Sequence, residues 1–132
     1  MFSDEAHKQE FNLQIEKDVI ANVDEYYITQ AIDNLISNAV KYGEGKPVTI
    51  ILKKAPKNMV QFEIIDQGIG IPQNELLKIF EKFAVSSRTS TPAGGRGMGL
   101  TLCKSAIEAH GGSIVAESDG NHGSKFTFTV PA

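Results

Sequence analysis

The chain has no tryptophan and a single cysteine, Cys103, among its 132 residues. A lone thiol cannot close an internal disulfide, and no metal-ligating partner stands near it at a short spacing. A disulfide scaffold and a cysteine-rich zinc site are therefore excluded, and a reducing cytoplasm is the compartment that fits. Positive charge is not in excess. Thirteen Lys and Arg against sixteen Asp and Glu leave a formal charge of -3, which gives no electrostatic footprint for DNA or RNA. Long hydrophobic runs are missing as well: no stretch approaches the roughly 20 apolar residues of a membrane span, and the polar start from Met1 to Glu10 lacks the apolar core of a signal peptide. These absences predict a domain without nucleic-acid partners or membrane contact of its own.

What is present is enough for one core. With 41% apolar side chains, the length supports one buried interior and is too short for two independent ones. The expected organisation is a polar N-terminal segment, 1–10, followed by a single domain, 11–132.

Periodicity sets the elements. Phe11, Leu13 and Ile15 alternate with Asn12, Gln14 and Glu16 as in a half-buried opening strand. Asp24 is a helix N-cap, and Ile28, Ala31, Ile32, Leu35, Ile36, Ala39 and Val40 recur at helical spacing until Gly43 and Gly45. Two β-rich runs, Val48 to Lys53 and Val60 to Asp66, flank a Pro56 to Asn58 turn and read as adjacent antiparallel strands. Pro72 can open a short helix whose apolar side is Leu76, Leu77, Ile79 and Phe80. From Ala84 to Gly97 the chain is Ser, Thr, Arg, Pro and Gly without period, which predicts a mobile lid. A helix from about Met98 to His110 ends at Gly111 and Gly112, and Ser113 to Ser118 pairs with Ser124 to Val130 through Asp119 to Gly123. The fold class expected is α/β: a two-layer sandwich, a mixed sheet covered on one face by helices.

Three segments carry chemistry. On the first helix Asn34, Asn38, Lys41 and Tyr42 edge the apolar stripe on one adjoining face. Such a row can be a solvated flank, but asparagine is a mediocre helix former and a poor choice for an idle surface. Next, Asp66-Gln67-Gly68-Ile69-Gly70 follows a strand. An ionised aspartate only accepts hydrogen bonds; the exocyclic amino group of adenine would satisfy it, whereas guanine presents an acceptor there. The glycines would let a planar base approach the backbone, although the same pattern also makes an ordinary turn. Third, Gly94-Gly95-Arg96-Gly97-Met98-Gly99-Leu100 leads into a helix, where unobstructed amides at the positive end suit phosphate oxygens. It is neither a P-loop nor a dinucleotide fingerprint, and glycines alone would serve equally as a hinge.

Together these segments resemble the histidine kinase catalytic domains, in the superfamily of Bergerat-fold ATPases that also holds gyrase, the clamp-forming heat-shock chaperones and the MutL mismatch-repair proteins. The likeness runs from about Val23 to Pro131. Asn34 to Tyr42 is similar to the N box, Asp66 to Gly70 to the first glycine box, Phe80 to Phe83 to the F box, and Gly95 to Leu100 to the second glycine box. Ala109 to Gly112 and Gly123 to Phe128 are similar to family stretches after the last box.

The resemblance implies ATP and Mg²⁺ as cofactors. It implies Asn38 as the protein ligand of the metal, Asn34 and Lys41 as catalytic residues at the phosphates, Tyr42 beside the base or ribose, and Asp66 on the adenine amino group. It places Gly68, Gly70 and Ile71 along the base pocket, and Gly95, Gly97, Met98, Gly99 and Leu100 against the phosphates through their backbone. Arg88 in the lid either reaches the terminal phosphate or is a solvated loop arginine, and Ser124, where the family often has threonine, keeps the hydroxyl. Met98 replaces a common leucine. Clamp ATPases and the related serine kinases carry a glutamate as general base at the position of Asn34; an amide cannot take a proton, which suits transfer to a histidine nitrogen.

The resemblance further implies partners: a histidine-bearing dimerisation domain of a parent kinase, anchored or not in the inner membrane, and a downstream response regulator. No segment here resembles the helical hairpin that carries the acceptor. His7 lies in a polar stretch, His110 ends a helix where its imidazole can serve the last carbonyls, and His122 is in a turn. The expectation is an excised domain, monomeric when isolated, that binds nucleotide without efficient self-phosphorylation. Competing readings are a nucleotide-sensing module without transfer and a clamp ATPase.

Overall fold

The computed structural model describes residues 9–76, 79–80, 96–120 and 122–132. Among the described residues, five strands and two long helices follow in the order β1 (Phe11–Ile15), α1 (Glu25–Tyr42), β2 (Val48–Ala55), β3 (Met59–Asp66), a 3-10 turn at Gln73–Glu75, α2 (Arg96–Ala109), β4 (Ser113–Glu117) and β5 (Ser124–Pro131).

Helix α1 starts at Asp24, whose Oδ1 accepts from the N–H groups of Tyr26 and Tyr27 at 3.0 and 3.3 Å. Those are two of the donors a helix start leaves without an internal partner. Glu25 in the first turn and Lys41 in the last complement the helix dipole. Ile28, Ala31, Leu35, Ala39 and Tyr42 form its buried stripe. Helix α2 closes in a Schellman motif: Gly112 N–H donates to the Ile107 carbonyl and Gly111 N–H to that of Glu108, both at 3.0 Å. Gly111 takes the left-handed φ of 82° that this ending requires.

The sheet is mixed, with strand order β1-β2-β3-β5-β4. β1 runs parallel to β2, joined to it through α1, and the remaining pairs are antiparallel. Between β2 and β3 the three-residue turn places Lys57 and Asn58 at positive φ, matching the strand twist. Helix α1 lies against β3 and α2 against β4 and β5. Their side of the sheet carries Val48, Ile50, Val60, Phe62, Ile64, Ile114, Phe126, Phe128 and Val130, all buried. Phe62 stacks on Phe128 with ring centres 5.0 Å apart, so the sheet's middle is held by an aromatic pair.

The opening strand departs from the expected half-burial. Its register sets Leu13 beside Ile50 and Ile15 beside Leu52, on the core face, yet Leu13 is 63% and Ile15 53% exposed. β1 is an edge strand, paired on one side only, by β2. Among the described residues no helix is long and apolar enough to cross a membrane.

Candidate functional site

The last turn of α1 abuts the glycine turn after β3. Ile69 N–H donates to the Tyr42 carbonyl at 3.3 Å. A Cβ on Gly68 would lie 1.8 Å from that oxygen and 2.6 Å from Gly43 Cα, so only glycine permits the approach. Gly70 holds φ 75°, which turns the chain back into the core. The Tyr42 end of α1 is brought against Gly68 and Ile69 in this way, with Asn38 one helical turn before Tyr42 on the same helix. Tyr42 is buried and Lys41 exposed, with Lys41 Nζ 5.7 Å from the centre of the Tyr42 ring.

Asp66 ends β3 and is only 4% exposed. Its Oδ1 accepts from Gly68 N–H at 3.0 Å and its Oδ2 from the Ser124 hydroxyl at 2.6 Å. Both oxygens are thus oriented by the protein. A carboxylate offers about four lone-pair positions, so the group keeps acceptor capacity for an incoming donor. Ser124 is its register partner on β5, and the serine found where threonine is commoner therefore performs the bond that a hydroxyl is needed for.

Other residues singled out from sequence sit less directly. Ile71 has its side chain wholly buried and its N–H given to Ser118 Oγ at 3.0 Å, which leaves its carbonyl edge for any ligand. Asn34 lies one turn before Asn38 and borders a hollow of about 300 Å³ between α1 and α2, beside Leu102, Cys103 and Ala106. Gly97, Met98 and Gly99 fall in the first turn of α2. A helix leaves its first four N–H groups without an internal partner, and in α2 those belong to 96–99. The glycines expected to lead into the helix are thus already inside it. Leu100 is fully buried and anchors that turn to the core. Arg88, Gly95, the lid from 84 to 95 and the F-box residues 81–83 lie outside the described residues, as does His7. Phe80 meets Phe126 edge-on, ring centres 6.1 Å apart.

Two polar elements at the site were not singled out from sequence. The Ser118 hydroxyl hydrogen-bonds to Ile71, Gly120 and Gly123, and Gln73 Nε2 donates to the Ser118 carbonyl. The signal was there: a serine ending a strand before Asp-Gly is well placed to bond the backbone two residues on. Cys103 is a core residue, 1% exposed, and burial raises its thiol to about 12, which makes it unreactive. Among the described residues no group of three or more His, Cys, Asp or Glu is placed to hold a metal.

Comparison with known proteins converges on one group. Residues 23–132 match the family described as histidine kinase-, DNA gyrase B- and HSP90-like ATPase. The sensor histidine kinase WalK of Bacillus subtilis is 38% identical over 119 residues, 88% of this chain and 20% of that protein. The chain therefore spans about a fifth of that curated relative. Among solved structures, the mycobacterial sensor histidine kinase MprB superposes with a TM-score of 0.83 at 26% identity, over 93% of this chain and 83% of that one. Full-length ShkA in complex with AMPPNP superposes with a TM-score of 0.76 at 25% identity, over 94% of this chain and 26% of that one.

Proposed function

Because the chain belongs to the histidine kinase-, DNA gyrase B- and HSP90-like ATPase family, and its fold is that of sensor histidine kinase catalytic domains, we propose that it binds ATP with Mg²⁺ and presents the γ-phosphate to a histidine on a separate dimerisation domain. The observation that carries this reading is the buried Asp66 carboxylate, held by Ser124 and Gly68 where the end of α1 meets the glycine turn.

Adenine donates through its amino group to Asp66; a base with an oxygen there would set acceptor against acceptor. Tyr42 would flank the base or ribose, and Lys41 would reach along the phosphates. The first turn of α2 supplies backbone N–H groups from 97, 98 and 99 to phosphate oxygens. Asn38, half-buried one turn before Tyr42, offers an amide oxygen, a hard ligand of the kind magnesium accepts alongside water and phosphate. Bound with the nucleotide, the metal would neutralise phosphate charge and fix the orientation of the terminal groups. Asn34 brings no proton acceptor to the site, which fits transfer to an imidazole nitrogen, a nucleophile that needs no base to activate it.

The phosphorylated histidine would in turn serve a response regulator. Calorimetric titration with Mg·ATP tests the binding step. Asp66→Asn should weaken affinity by about 1–3 kcal/mol, the cost of losing a buried charged acceptor, and an unchanged affinity would remove Asp66 from the base pocket. Adding a hairpin domain with an acceptor histidine tests transfer, since a sensing module would bind ATP and leave the histidine unmodified.

A further inference from the structure

Ser118, at the end of β4, has no role in the family motifs noted above, yet its hydroxyl is used to full capacity. Oγ donates to the Gly123 carbonyl at 2.7 Å and accepts from Ile71 N–H at 3.0 Å and Gly120 N–H at 3.1 Å. One donor and two acceptor positions are all that a serine hydroxyl has. The Ser118 carbonyl also takes Gln73 Nε2.

These bonds join two arms that both start at Asp66. The first runs from Asp66 Oδ1 through Gly68 N–H and Gly70, at φ 75°, to Ile71. The second runs from Asp66 Oδ2 through the Ser124 hydroxyl to Gly123, at φ 91°, whose Cβ position would fall 2.0 Å from the Asp66 carbonyl. The arms meet at Ser118 and close a ring. Each arm contains a glycine in the left-handed region, where the chain is conformationally permissive, and each supplies one of the two donors that set the carboxylate plane.

We propose that Ser118 is a positioning residue for base selection: by fastening Ile71 to Gly120 and Gly123 it fixes the orientation of Asp66, and with it the preference for a 6-amino purine. The inference rests on the reading of Asp66 as the base anchor given above. Ser118 acts at a distance from the ligand, through the geometry of both donors to Asp66. An acceptor held in one plane discriminates a donor from an acceptor on the base; one free to rotate loses part of that discrimination and part of its preorganisation.

The test compares ATP, inosine triphosphate and inorganic triphosphate by calorimetry on wild type, Ser118→Ala, Ser118→Thr and Asp66→Asn. Inosine differs from adenosine at the one ring substituent that would face Asp66, and triphosphate lacks the base. Ser118→Ala should lower ATP affinity about 3- to 10-fold and shrink the ATP-to-inosine-triphosphate ratio, while triphosphate binding stays at its wild-type value. Ser118→Thr, which keeps the hydroxyl, should restore the ratio. If Ser118→Ala does not fold, Ser118→Cys, with a weak donor and acceptor in the same place, carries the same expectation. A lowered melting temperature with the ratio unchanged would mean that Ser118 is only a fold contact, and the inference is overturned. If Asp66→Asn itself leaves ATP affinity and the ratio unaltered, the base-anchor reading fails and the inference with it. An effect of Asp66→Asn without one of Ser118→Ala rejects the inference alone.

Discussion

The backbone N–H of Asp24 donates to Nε2 of His110 at 2.8 Å, across 86 positions of sequence. Nδ1 of the same ring lies 2.7 Å from the Ala106 carbonyl. One nitrogen therefore accepts and the other donates. The end of α2 is thereby tied to the capping residue of α1. His110→Ala should lower the unfolding free energy by about 1–2 kcal/mol, one hydrogen bond to each helix. Hydrogen exchange should show faster opening of the first turn of α1. An unchanged denaturant midpoint would show that water replaces the imidazole at no cost.

Gly68 makes the tightest approach around the candidate site. A methyl group there would lie 1.8 Å from the Tyr42 carbonyl, a backbone atom that cannot rotate aside. Gly68→Ala should push the glycine turn away from α1, break the Ile69 to Tyr42 bond and weaken Mg·ATP binding at least about tenfold, or roughly 1.4 kcal/mol. Gly45→Ala is the control: φ is 75° there and nothing lies within 4 Å, so the cost should be about 1–2 kcal/mol of backbone strain without change in affinity. Calorimetry and thermal melts on both variants check this. Equal affinities would show that the contact between α1 and the turn serves the fold alone.

Helix α1 could be read from the sequence because its signals agree: Asp24 caps it and Ile28, Ala31, Leu35 and Ala39 are all buried. Strand identity was legible for the same reason, since Phe62 and Ile64 alternate with Gln61 and Glu63. Partners were not. Alternation tells which side chains share a face but not which strand lies beside which, so the parallel β1–β2 pair and the exposure of Leu13 and Ile15 had no signature. Of the candidate site, Asn38, Lys41, Tyr42 and Asp66 were singled out by spacing and chemistry. The Gly68 approach and the Ser118 ring did not, because backbone groups make those contacts and a sequence marks them only by an absent side chain or a short hydroxyl.

Glu63 lies on the sheet face opposite the helices, between a core phenylalanine and a core isoleucine, and is only 4% exposed. Burial disfavours its charge, but Gln61 Nε2 at 2.6 Å, Lys125 Nζ at 3.2 Å and Lys53 Nζ at 3.3 Å outweigh that and lower its pKa. The three donors sit on β3, β5 and β2, so one carboxylate binds three strands across the central one. Glu63→Gln keeps the shape and removes the charge. Both lysine side chains are 40% exposed or more and can return to water, so the loss at pH 7 should be about 1–2 kcal/mol rather than the larger cost of a fully buried broken pair. Because the folded value is depressed, this stability is complete above the unfolded carboxyl value of about 4.3 and is lost as pH falls through the folded one. Urea unfolding should therefore show a constant gap between wild type and variant from about pH 7 to 5, closing below about pH 4. A gap that persists at low pH would mean that the difference lies in the hydrogen bonds of the uncharged group, and that the ion pairs with the lysines contribute nothing to holding β2 and β5 against β3.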